Sequence, residues 1–112
     1  MAKTKQVLLA TTVIAAGAWQ PNRFVNFAGT QAASGEASLG VSTYEADQGD
    51  AAAVDVLGIA TVEAGGAIAQ GAQVAAGDQG LAVTQASTAA VCGHALDAAA
   101  AAGDIIRILL RG

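Results

Sequence analysis

Short apolar stretches carrying β-branched residues or strict alternation recur along the chain, and glycine-rich breaks separate them. Lys5 to Ile14, Arg23 to Phe27, Ser38 to Thr43, Val54 to Val62, Ala72 to Ala75, Gly80 to Thr84, Ala90 to Leu96 and Asp104 to Leu110 all read as strands. Ala33-Ser34-Gly35-Glu36, Ala46 to Asp50, Ala64-Gly65-Gly66 and Gly77-Asp78-Gln79-Gly80 read as turns. A helical period is hard to find. The alanines from Ala98 to Ala102 are too short a run to hold a helix alone and predict a tight loop or one turn. The pattern predicts an all-β fold, a compact β-sandwich or barrel-like domain over 7–112, with residues 1–6 as an extended N-terminal arm.

A faint repeat runs through the same pattern. Gly17-Ala18-Trp19 with Val25 matches Gly66-Ala67-Ile68 with Val74, and Gly40 to Gly49-Asp50 matches Gly93 to Gly103-Asp104. Val54-Asp55-Val56 then aligns with Ile106-Arg107-Ile108, predicting two similar β units with Asp55 and Arg107 on corresponding outer faces. In the closing strand, Ile106, Ile108 and Leu110 are expected on one side and Arg107, Leu109 and Arg111 on the other.

The chain has 112 residues, enough for one domain. Apolar residues make up 54%, but 30 residues are alanine, so the core must be thin and tightly packed. Charged residues are only 12%, which favours association over a free monomer. Residues 1–35 carry Lys3, Lys5 and Arg23 and no acid, whereas all nine acids fall between Glu36 and Asp104. With a net charge of −4 and no basic stripe, nucleic acid is not an expected partner.

Lys3 and Lys5, the apolar run from Val7 to Ala18 and Ala16-Gly17-Ala18 imitate an export signal with its cleavage site. Thr11 and Thr12 interrupt the run, so the segment is expected to remain on the chain. At about 12 residues it is too short to span a membrane. The lone Cys92 excludes an internal disulfide, and Cys92-Gly93-His94 reads as a semi-buried strand pair lacking the orienting group and cleft that a nucleophile needs. Asp47, Asp50 and Asp78 beside glycines fit no calcium loop, and the glycine spacings are hairpin chemistry with no phosphate-binding helix after them. No cofactor, metal or enzymatic activity is expected.

Two stretches carry a resemblance. The first is Gly58-Ile59-Ala60, Ala64-Gly65-Gly66-Ala67-Ile68-Ala69-Gln70-Gly71-Ala72-Gln73-Val74 and Gly77-Asp78-Gln79-Gly80-Leu81-Ala82-Val83; the second is Gly93-His94-Ala95-Leu96-Asp97 with Gly103 to Leu110. Together they resemble the small Ala/Gly-rich cement, or head decoration, proteins of tailed bacteriophages, well over residues 54 to 112 and loosely before. The resemblance implies a β-rich structural virion protein on the outer capsid surface, made in the host cytoplasm. It also implies a trimer at three-fold or local three-fold positions that joins neighbouring major capsid subunits. The alternatives are a secreted or surface-layer structural β protein and a clip-like β accessory domain.

The residues expected to contact capsid or a neighbouring subunit are Ala2, Lys3, Thr4, Lys5 and Gln6 in the arm, together with Trp19 and Arg23. An extended arm can add main-chain bonds to an exposed strand edge, with Val7, Leu8 and Leu9 supplying apolar burial. Trp19, beside a loop at Pro21 and Asn22, is expected to plug an interface pocket rather than anchor the core.

Overall fold

The computed structural model describes residues 5–110. Eight strands follow one another: β1 (Gln6–Ile14), β2 (Phe24–Val25), β3 (Gly40–Ser42), β4 (Ala51–Glu63), β5 (Gln73–Ala76), β6 (Ala82–Thr84), β7 (Gly93–Ala95) and β8 (Ile105–Leu110). All eight predicted strands are present. The described residues hold no α-helix, only a 3-10 turn at Asp78–Gly80, and Ala98 to Ala102 form a tight loop. The strands make one antiparallel sheet in the order β2-β3-β4-β8-β7-β5-β6, with β1 paired to β4, and the sheet is nearly closed on itself as a barrel.

β4 runs three residues earlier than the sequence predicts. Ala51, Ala52 and Ala53 have little strand preference of their own, but they pair with Ile14, Val13 and Thr12 of β1, and tertiary pairing overrides propensity. Midway, Gly58 takes φ +112°, where a Cβ would collide with the Gln6 carbonyl and the Leu8 nitrogen. Only glycine lets β1 cross this close. The local register of β1 against β4 is broken on both sides of Leu9.

The expected duplication is written in the hydrogen bonds. Ala15 N donates to Asp50 O and Gly49 N to Ala15 O; Ala64 N donates to Asp104 O and Gly103 N to Ala64 O. Trp19 and Ala46 exchange backbone bonds as Ile68 and Ala99 do. Leu39 N donates to Val25 O at 2.7 Å, and Cys92 N to Val74 O at 2.7 Å. The first unit is β1, β2, β3 and the N-terminal half of β4. The second is the C-terminal half of β4, then β5, β7 and β8, so the long β4 belongs to both. This explains its length.

The sequence alignment of the last strands is corrected by two residues. Val41 pairs with Asp55 and Ser42 with Val54, while His94 pairs with Leu109 and Ala95 with Ile108. Val54 therefore corresponds to Ile108, Asp55 to Leu109 and Ala53 to Arg107. Apolar–charged–apolar triplets look alike when slid by one strand period, which is why the sequence favours the wrong frame. Asp55 does not face outward either: it is buried at 4% exposure beneath Lys5 and Thr43. Arg107 lies half-buried on the face it shares with Leu109, the counterpart of Asp55, held by Asp97 through Nε and Nη2, each bond 3.0 Å.

The core repeats as well. Ala15, Trp19, Val25, Ala46, Ala52 and Val54 form one buried cluster. Their counterparts Ala64, Ile68, Val74, Ala99, Ile106 and Ile108 sit together in the larger one, joined there by Phe24, Val41, Val62 and Leu110. Volume is exchanged between the units. The first has one large residue, Trp19, over the small Ala52 and Val54; the second has Ile68 over the larger Ile106 and Ile108. Close packing demands such compensation. As expected, Ile106, Ile108 and Leu110 are buried on one side of β8, with Arg107 and Leu109 half-exposed on the other.

Candidate capsid interface

Most large apolar residues left outside lie on two surfaces. β1 is exposed along nearly its whole length: Leu8 is 73% exposed, Leu9 55% and Ile14 61%. Alternation would hide one of two adjacent leucines in a covered strand, but β1 is exposed on both faces here, and its register against β4 shifts on either side of Leu9. Leu8 borders a shallow groove with Gln6, Gly58, Ile59 and Leu109. β1 pairs only with β4, so its far edge carries main-chain donors and acceptors without a strand partner among the described residues. An apolar, unprotected edge of this kind is a docking surface or an aggregation hazard.

The second surface is a cleft of about 260 Å³ lined by Phe27, Leu39, Val56, Val91, Cys92 and Leu110, with Ser38 and Gly40. Leu39 corresponds to Cys92 and Val56 to Leu110, so the cleft lies between the two units. Phe27, 71% exposed, stands on the Asn26–Gly29 turn. Asn26 Oδ1 accepts from Ala28 N and Thr30 N, and Asn26 Nδ2 donates to Glu36 Oε1 at 3.1 Å. Glu36 Oε1 also accepts from Ala33 N at 2.8 Å. The Ala33 amide first, then Asn26, holds the Glu36 carboxyl below the usual glutamate range. A depressed carboxylate contributes stability that is complete above the unfolded value, about 4.3, and is lost as pH falls through the folded one. Glu36→Gln is expected to lower stability modestly at neutral pH and to flatten the acid limb of the stability–pH curve, the variant and wild type converging as pH falls. Chemical denaturation from pH 3 to 7 checks this, and an identical acid limb would contradict it.

The sequence-predicted contact residues are not brought together as one site. Ala2, Lys3 and Thr4 lie outside the described residues. Lys5 and Gln6 are engaged with their own chain: Lys5 Nζ is 3.0 Å from Asp55 Oδ2, and Gln6 pairs with Ile59 as the first residue of β1. The buried Asp55 carboxylate needs a cation, and among the described residues Lys5 supplies it.

Trp19 corrects the expectation of an interface plug. It is 2% exposed, and its indole Nε1 donates to Gly29 O at 2.7 Å. A side chain of that size is the natural filler for an alanine-rich unit. Arg23 is also inside, at 7% exposure. Its Nη1 donates to Gln79 O at 3.1 Å, and its Nη2 to Gln20 Oε1 at 3.0 Å and Glu63 Oε1 at 3.4 Å. It ties the first unit to the second. Leu8 and Leu9, expected from the sequence to supply apolar contact beside the arm, are exposed, whereas Phe27 stands on the Asn26 turn, which an alternation pattern does not encode.

Cys92 and His94 are both half-buried, as a strand pair should be; Cys92 packs against the larger core cluster, and its Sγ lies 3.7 Å from Ala90 O and 3.9 Å from Glu36 O. Among the described residues no group of three His, Cys, Asp or Glu side chains could hold a metal ion. No helix of the described residues is long and apolar enough to cross a membrane.

The protein is thus an all-β, nearly closed barrel-like scaffold that leaves apolar strand and turn surfaces exposed. The family model for phage cement proteins matches residues 2–111, and the chain belongs to that family of phage structural proteins, which is not an enzyme class. Among solved structures, the head fibre gp8.5 N base of bacteriophage phi29 is similar to it in fold, with a TM-score of 0.74, 22% identity, and 92% of this chain and 93% of that chain covered. No curated protein matches the chain.

Proposed function

We propose that the protein binds the outer surface of a phage head and joins neighbouring major capsid subunits, as a homotrimer at three-fold or local three-fold positions. The membership of the cement family over residues 2–111 carries this reading. The exposed first half of β1 supports it, because Leu8 and Leu9 offer apolar area beside an open strand edge. A capsid segment laid against that edge gains main-chain hydrogen bonds. Residues 1–6 form the arm across a neighbouring subunit, anchored on their own chain by Lys5 and Gln6, with Lys3 meeting acids of the neighbour. Exposed ion pairs contribute only about 0–1 kcal/mol each, so attachment rests on strand pairing, apolar burial and repetition around the symmetry axis.

Co-sedimentation with purified phage heads tests the function. The full chain is expected to saturate the heads. Deletion of residues 2–4, which spares the Lys5–Asp55 pair, is expected to lower occupancy while circular dichroism stays unchanged. Leu8→Lys with Leu9→Lys is expected to lower affinity about tenfold or more, since charges replace buried apolar contacts. Full occupancy by both variants would remove this surface, and failure of the full chain to bind any head would remove the function.

A further inference from the structure

Besides the shared β4 and core, the two units make one loop-on-edge contact in one direction only. The loop before β2 in the first unit lies against the outer edge of the second unit's leading strand, the C-terminal half of β4. Glu63 N donates to Asn22 O at 2.9 Å, Thr61 Oγ1 donates to Asn22 Oδ1 at 3.0 Å, and Arg23 Nη2 reaches Glu63 Oε1. By the repeat, Thr61 and Glu63 correspond to Thr12 and Ile14 of β1, and Asn22 and Arg23 correspond to Gly71 and Ala72.

Three of these counterparts lie open, and Ala72 is half-buried at the margin of the larger core cluster. Thr12 and Gly71 are exposed, Ile14 is 61% exposed, and no backbone bond joins β1 to the loop over residues 69–72. The chain thus has one copy of a loop-on-edge contact filled and the two halves of a second copy empty. The chemistry of the empty halves has changed in concert: the Arg23–Glu63 ion pair is replaced by Ala72 and Ile14, an apolar pair. An ion pair exchanged for two apolar residues keeps the two surfaces complementary, whereas a change on one side alone would bury an unpaired charge.

We propose that a second copy of this chain fills the gap: the Gln70–Ala72 loop of one copy packs on the Thr12–Ile14 edge of the next, repeating between chains the contact that joins the units within one. Ile14 N then donates to the partner copy's loop carbonyl as Glu63 N does to Asn22 O. The contact is head-to-tail, so it builds a ring where the rotation closes. It uses the second half of β1 and leaves Leu8 and Leu9 to the capsid. The inference deepens the proposed oligomer and rests on that reading for the occupant alone; it needs no capsid.

Native mass spectrometry and sedimentation velocity of the full chain, without heads, test it. The wild type is expected to form oligomers. Ile14→Glu is expected to weaken association about tenfold or more, by setting a carboxylate against Ala72. Ile14→Glu with Ala72→Arg is expected to restore it by importing the intrachain ion pair. Should either variant lose its β signature, Ile14→Cys with Ala72→Cys in a Cys92→Ser background replaces them. Mild oxidation is then expected to give chain-to-chain disulfides and a ladder on a non-reducing gel. A monomeric wild type, an unaffected Ile14→Glu variant, no rescue in a folded double variant, or a disulfide closed within one chain would each overturn the proposal. Loss of head binding by an intact oligomer would count against the capsid reading and leave this contact standing.

Discussion

Trp19→Ala is expected to cost about 3–5 kcal/mol, a large share of the 5–15 kcal/mol typical of a whole domain. The melting temperature should fall by roughly 10–20 °C for a chain of this length. The reason lies in the partition of volume between the units. Trp19 is the one large side chain among Ala15, Ala46, Ala52, Val25 and Val54, so its loss leaves a cavity that small neighbours cannot collapse into. Its indole also donates to the buried Gly29 carbonyl, which keeps only the Ala16 amide once the indole is gone, so one buried hydrogen bond is lost as well. A second variant tests the volume argument separately. Trp19→Ile with Ala52→Ile and Val54→Ile installs the second unit's residue types in the first and should regain at least about half of the loss. A melting temperature unchanged by Trp19→Ala would place Trp19 outside the folding core, against its 2% exposure.

Strand positions were legible in the sequence because glycine breaks and β-branched runs are local signals. The turns at Gly49 and Gly103, both at φ +93°, are the kind of feature that sequence reading finds well, since few other residues adopt that conformation. Trp19 failed for a different reason. Whether a large aromatic residue near a loop turns inward depends on what faces it across the sheet, and Ala46 and Ala52 are distant in sequence. Arg23 failed likewise: its partners Gln79 and Glu63 are 56 and 40 residues away. The acid-free start was visible, but not that Lys5 neutralises a buried Asp55 of the same chain. Pairings between distant residues decide these three cases, and hydrophobic pattern carries no information on them.

The register of the duplication shows the same limit at finer grain. The match of glycines located both units correctly, yet Val54 was aligned with Ile106 instead of Ile108. Gly40 and Gly93 supply the missing constraint. A Cβ on Gly40 would strike the Asp55 carbonyl, and one on Gly93 would strike the Leu109 carbonyl. Each glycine allows the last strand of its unit to approach, which makes Asp55 and Leu109 equivalent and fixes the frame.

Ile108→Ala is the counterpart experiment in the second unit and should cost about 2–5 kcal/mol. Ile108 is fully buried at the centre of β8, paired to Ala60 of β4 on one side and Ala95 of β7 on the other. Its neighbours in the core include Phe24 and Val41 of the first unit, so the cavity opens between the units as well as within one. Because β4 belongs to both, loss of packing on β8 loosens the strand that the first unit also depends on. The two units should therefore melt together: thermal unfolding followed by Trp19 fluorescence, which reports the first unit, and by far-ultraviolet circular dichroism should shift downward by the same amount in the variant. Ile108→Val, which deletes a single methylene from the same site, should cost only about 0.5–1.5 kcal/mol. A first-unit Trp19 transition that stays at its wild-type temperature while the circular dichroism transition moves would show that the units fold independently, and would contradict the shared role of β4.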